Sequence, residues 1–158
     1  MKISILGCGW LGLPLATFLI NEGHQIKGST TTKSKCDILQ KNKIEPFEIQ
    51  LFENKISGNI TKFLENSDIL IIAIPPKLRG VIKENFVQKI ANLKTIIENS
   101  SIKKVVFISS TAVYEDTFPI VEVTEHTKLD PKAENGIQLL KSEQILQQSK
   151  TFKTTIIR

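Results

Sequence analysis

Three glycines, Gly7, Gly9 and Gly12, in the opening run MKISILGCGWLGLPLA, have the spacing that bears most directly on chemistry. They follow the β-type run Ile3-Ser4-Ile5-Leu6 and precede the helical apolar positions Leu15, Ala16, Phe18 and Leu19. Between a strand and a helix, each glycine has its own task. Gly7 permits a tight turn, Gly9 lets the backbone approach a pyrophosphate, and Gly12 lets the helix pack closely on the strand. The first N–H groups of the helix, with the positive end of its dipole, then face the phosphates. A dinucleotide is therefore the expected ligand, cradled by Gly7, Gly9, Trp10, Leu11 and Gly12.

Three further segments stand where a ligand's other parts would lie. About 20 residues past the glycines, a site selective for NAD usually carries a carboxylate for the ribose 2′-hydroxyl. This chain instead has Ser29-Thr30-Thr31-Thr32-Lys33-Ser34-Lys35. Hydroxyls and ammonium groups suit a 2′-phosphate, so NADP is preferred over NAD, with Ser29, Thr30, Thr31 and Lys33 as its contacts. Capping of the next helix by Ser and Thr, with solvated lysines, is the alternative, and the two are compatible. Ala73-Ile74-Pro75 would pass beneath the cofactor, where small and apolar side chains are required. Ser109-Ser110-Thr111-Ala112-Val113-Tyr114 brings hydroxyls to the nicotinamide end, although serines and threonines also end strands and form turns.

The elements that must position these segments alternate between strand and helix. Strands are expected at Lys2–Gly7, His24–Thr30, Glu45–Leu51, Asp68–Ile74, Lys104–Ser109 and Lys153–Ile157. Helices are expected at Trp10–Glu22, Lys33–Asn42, about Asn59–Asn66, Gly80–Asn99 and Gly136–Gln148. The unbroken apolar run Ile69-Leu70-Ile71-Ile72 implies burial on both faces, as in a parallel sheet. Right-handed crossovers then give a single α/β domain, a doubly wound parallel sheet in three layers, α/β/α. Ligands on such sheets bind beyond the carboxyl ends of the strands.

At 158 residues, with 41% hydrophobic and 23% charged residues, the composition is that of one globular domain. The formal charge of +5 is almost wholly lysine spread along the chain, with arginine only at Arg79 and Arg158. Without a concentrated basic stripe or stacking aromatics, nucleic acid is not expected as a partner. Cys8 and Cys36 make neither a disulfide framework nor a zinc site, so no metal is expected and a cytoplasmic location is inferred. The apolar run before Cys8 is too short for a secretory h-region, and no stretch approaches the roughly 20 apolar residues of a membrane span. Oligomeric state is not legible.

The runs VVFISSTAVYED (Val105–Asp116) and TEHTKLDPKAENGIQLLKSEQIL (Thr124–Leu146) resemble the extended short-chain dehydrogenase/reductases, the NAD-dependent epimerase/dehydratase group. The resemblance implies a Rossmann fold, an oxidoreductase or isomerase activity and a nucleoside-diphosphate sugar as substrate. It implies that Ser110, with Thr111 beside it, polarises the substrate, and that Glu125 and Pro131 lie in the loop before the catalytic helix. Alignment on Gly136 and Glu143 puts Asn135 and Leu139 where the family carries its Tyr-x-x-x-Lys pair, and neither does that acid/base work. The G-x-G-x-x-G spacing points to an atypical branch of such epimerases. The chain stops after the family's sixth strand, so the C-terminal substrate-binding region is expected to be absent and the chain alone inactive. A non-catalytic redox-sensing or interaction module is the second reading. The third is the N-terminal domain of a β-hydroxyacid or prephenate type of dehydrogenase, suggested by GCGWLGLPLA and ILIIAIPP.

Overall fold

The computed structural model of the chain describes residues 1–76, 84–115 and 122–158. The expected start of a helix at Gly80, Arg79, and Asp116 at the end of the first resemblance motif lie outside these residues. Strand β1 (Lys2–Leu6) leads into helix α1 (Gly12–Asn21), and β2 (Gln25–Thr30) into a 3-10 turn (Lys33–Lys35) and α2 (Cys36–Lys41). Next come β3 (Glu45–Glu48), β4 (Gln50–Leu51), β5 (Ile56–Ser57), α3 (Ile60–Leu64) and β6 (Ile69–Ile72). Helix α4 (Phe86–Glu98), β7 (Lys104–Ile108), a 3-10 turn (Thr111–Val113), α5 (Glu134–Gln147) and β8 (Lys153–Ile157) complete the order.

Six strands form one parallel sheet in the order β3-β2-β1-β6-β7-β8. The order reverses between β1 and β6, which opens a crevice at their carboxyl ends. The expected doubly wound sheet, with helices covering it in a Rossmann-like three-layer arrangement, is therefore present. Apolar side chains alternate to both faces of the central strands. Leu6, Leu70, Ile72, Val105 and Phe107 pack with α4 and α5 on one side, and Ile3, Ile5 and Ile71 pack with α1 and α2 on the other. This two-sided burial is why the central strands read as continuous apolar runs.

One expected strand divides. Glu45–Leu51 is a sheet strand only to Glu48; Ile49 N–H then donates to the Thr30 carbonyl, and Gln50–Leu51 turns out to pair antiparallel with Ile56–Ser57. The weakly patterned segment after it does contain a helix, α3, whose start is fixed by the Asn59 side chain accepting from Lys62 N–H at 3.0 Å. The end of α3 is tied to β1 as well. The Ser4 hydroxyl, fully buried in β1, donates to the Phe63 carbonyl at 2.6 Å and meets the Ser67 hydroxyl at 2.8 Å. Among the described residues no helix is long and apolar enough to cross a membrane.

Candidate dinucleotide-binding cleft

The glycine loop sits at the crevice, between the ends of β1, β2 and β6. Gly7 has φ +101°, a backbone conformation that side chains disfavour, and a Cβ there would strike Ile74 and the Ala73 carbonyl. Gly12 packs so closely that a Cβ would lie 2.2 Å from the Gly7 carbonyl oxygen. Around Gly9 there is open space, with no atom within 4 Å of where a Cβ would be. Among the described residues no hydrogen bond is donated by the N–H of Trp10, Leu11 or Gly12, and no side chain caps α1. Open space beside unpartnered N–H groups at a helix start fits a pyrophosphate in size and charge.

Ser29 holds this loop in place. Its hydroxyl accepts from Gly7 N–H at 2.9 Å and its carbonyl from Cys8 N–H at 2.7 Å, and the residue is only 2% exposed. Burial beside this turn pushes the Cys8 thiol up to about 11, the loss of solvent outweighing the Ser29 backbone contact.

Two hollows flank Gly9 and Ala73-Ile74-Pro75, which line both. The smaller, about 200 Å³, lies over β2 and is also lined by Ser29, Thr30, Thr31 and Lys35. Lys33, the sequence candidate for the ribose phosphate, is not among its lining residues; the 3-10 turn presents Lys35 to it instead. Leu51, Phe86 and the ion pair of buried Lys89 with half-buried Glu84 form its far wall. Sequence reading missed these, because β4 and the start of α4 reach the crevice only through the tertiary fold.

The larger hollow, about 1030 Å³, lies toward β7 and is lined by Trp10, Leu11, Pro76, Ser109, Ser110, Glu134, Asn135 and Leu139. Ser110 therefore reaches the cleft, its hydroxyl accepting from Ala112 N–H at 3.2 Å. Thr111 lines an adjoining hollow with Tyr114 and Lys132, which shares Ser110 and Asn135 with the larger one, and is not itself among the residues lining the larger hollow. Asn135 and Leu139 stand beside Ser110, on the first turns of α5.

The Ser109 hydroxyl is engaged behind the cleft, donating to Glu143, a carboxylate with only 1% exposure. Arg158 neutralises that buried charge by a two-pronged contact, Nε at 3.2 Å and Nη2 at 2.7 Å, and lies over the Tyr114 ring. Glu143 in turn holds the Arg158 pKa above its ordinary value, with Tyr114 contributing. Glu143 lies in α5 and Arg158 just past β8, and only the packing of α5 against β8 brings them together.

Comparison with known proteins agrees with this geometry. Protein YeeZ of Escherichia coli K12 is 29% identical over 136 residues, 85% of this chain and 49% of that protein. Glycerol-3-phosphate dehydrogenase (NAD(P)+) of Fusobacterium nucleatum is 31% identical over 115 residues, covering 65% of this chain and 34% of that enzyme. The chain thus spans about half, or less, of the length of these relatives. Among solved structures, a short-chain dehydrogenase/reductase superfamily protein from Agrobacterium tumefaciens with bound NAD superposes on the whole chain and 48% of its own, with TM-score 0.78 and 20% identity. UDP-glucuronic acid 4-epimerase of Bacillus cereus in complex with NAD does so on 55% of its own chain, with TM-score 0.77 and 19% identity. At these identities the likeness to short-chain dehydrogenase/reductases is one of fold, whereas the dehydrogenase reading also has sequence support. Residues 1–156 match the UDP-glucose/GDP-mannose dehydrogenase family, NAD binding domain. The chain belongs to that family, as its NAD-binding, Rossmann-type domain.

Proposed function

We propose that the chain is the cofactor-binding part of an oxidoreductase or epimerase acting on nucleoside-diphosphate sugars, with NADP preferred over NAD. The observation that carries the reading is the open space at Gly9, between two hollows on either side of the β1–β6 crevice. A dinucleotide has the corresponding three parts: an adenosine half over β2, a pyrophosphate at the glycines, and a nicotinamide half toward β7. The preference for NADP is supported by Thr31 and Lys35 lining the adenosine side without a lining carboxylate from the segment after β2. When bound, the nicotinamide would supply hydride transfer. The chain's own residues would orient the reacting groups, Ser110 polarising a substrate hydroxyl or carbonyl in the hollow that Trp10 and Leu11 also line.

A second reading, a dinucleotide-binding module without catalysis, is favoured by Asn135 and Leu139. Neither carries a titratable proton, so these positions offer no general acid or base beside Ser110.

The experiment is calorimetric titration of wild type and Gly9→Val with NADPH. Because nothing lies near a Cβ at Gly9, the variant keeps its fold and loses affinity only if a ligand's phosphates occupy that space. Equal affinity would remove the site assignment.

A further inference from the structure

Trp10 is the only tryptophan in the chain, yet its side chain is 90% exposed. Most large apolar side chains here are buried or half-buried, and leaving an indole in water forgoes one of the largest contributions that burial makes. Its attachment is firm. Gly9 N–H donates to the Gly7 carbonyl and Leu13 N–H to the Gly9 carbonyl, so the turn that carries the ring is braced on both sides. The ring lines the larger hollow, across which stand Pro75, Ser110 and Leu139, and it adjoins the open space at Gly9. A ligand laid against the apolar wall of Ile74, Pro75 and Leu139 would keep its other side in water unless a side chain from the glycine turn lay over it. Among the residues of that turn, Trp10 has the reach and the flat apolar surface to do so.

We propose that the Trp10 indole is the cover for the nicotinamide half of the bound dinucleotide, a binding role for the side chain that rests on the cofactor reading above. The adenosine half lies on the far side of Gly9, so ADP ends before the indole. The contribution of Trp10 is therefore separable by ligand: a ring that covers nicotinamide matters for NADH and NADPH and not for ADP.

The test is calorimetry of wild type, Trp10→Ala and Trp10→Phe with NADPH, NADH and ADP, together with wild-type indole emission. Stacking of this kind predicts that Trp10→Ala weakens NADPH about tenfold, that Trp10→Phe recovers most of the loss, and that ADP changes by less than about twofold. Emission should fall with NADPH more than with ADP. Melting temperature should not move, since the side chain packs on little. Equal losses for ADP and NADPH would make Trp10 a residue that merely shapes the glycine turn, overturning the proposal. Unchanged NADPH affinity in Trp10→Ala would overturn it while leaving the cofactor reading intact. Wild type that binds neither NADPH nor ADP would overturn both.

Discussion

Replacing Gly136 by alanine sets two opposing effects against each other, and the geometry decides the sign. Alanine is favoured over glycine inside a helix by about 1 kcal/mol, so on propensity alone the variant would be more stable. In α5, however, a Cβ at Gly136 would lie 2.0 Å from the Ala112 carbonyl oxygen and 2.7 Å from Pro131 Cβ. Real Cβ contacts do not fall below 3.0 Å, so helix and 3-10 turn must separate by about 1 Å, the difference between 3.0 and 2.0. Neither neighbour is a flexible side-chain tip. Overpacking of this kind costs roughly 1–3 kcal/mol, and a clash with backbone sits at the upper end. Subtracting the propensity gain leaves a destabilisation of about 2 kcal/mol. For a domain of this size that corresponds to a melting temperature lower by roughly 4–8 °C. Thermal unfolding followed by far-ultraviolet circular dichroism measures it, with Gly9→Ala as the companion that should show no such fall. A melting temperature that rises in Gly136→Ala would show that α5 is not held against Ala112 and that the placing of Asn135 and Leu139 beside Ser110 is wrong.

Three other outcomes are expected. Lys35→Ala should lower the NADPH/NADH affinity ratio through loss of a charge-assisted contact of roughly 1.5–3 kcal/mol, and Lys33→Ala should not; the reverse result in paired titrations would return the 2′-phosphate to Lys33. With its pKa at about 11 rather than 9.0, Cys8 in a Cys36→Ser background should react with a thiol reagent at pH 8 about 100-fold more slowly than an unburied cysteine. Its folded pKa lies above the unfolded one, so the associated stability is present below pH 9 and is lost as pH rises toward 11; a reaction rate at pH 8 like that of free cysteine would refute the burial. The 158-residue chain should show no sugar-nucleotide turnover approaching the roughly 1 s⁻¹ at the low end of ordinary enzymes, because Asn135 and Leu139 supply no acid/base catalysis. A steady-state assay of NADPH formation that reaches that rate would sink this expectation.

What the sequence disclosed, and what it withheld, follows the range of the forces involved. Gly7, Gly9 and Gly12 were legible because a tight turn, a close approach and a helix contact are local demands. The doubly wound parallel sheet followed from alternating periodicity and the handedness of crossovers, whereas the order of its strands came only with the structure. The split of Glu45–Leu51 was not legible: its apolar pattern continues through Ile49 and Leu51, and only the bond from Ile49 N–H to Thr30 shows where the sheet ends. The choice between Lys33 and Lys35 depends on the rotation of one 3-10 turn, which charge and spacing do not specify. Lys89 with Glu84, and Glu143 with Arg158, were invisible for a related reason. A buried charge needs its partner in space, and sequence gives only its place along the chain.

The double hold of Ser29 on the glycine loop divides the hollow over β2 into a fixed part and a replaceable part. Position 29 is committed through its hydroxyl to Gly7 and through its carbonyl to Cys8. Thr31, Lys33 and Lys35 are exposed and carry no share of that support. On the cofactor reading proposed above, cofactor choice and phosphate cradle are mechanically uncoupled: rewriting positions 31 to 35 toward either dinucleotide would leave the turn held by Ser29 undisturbed.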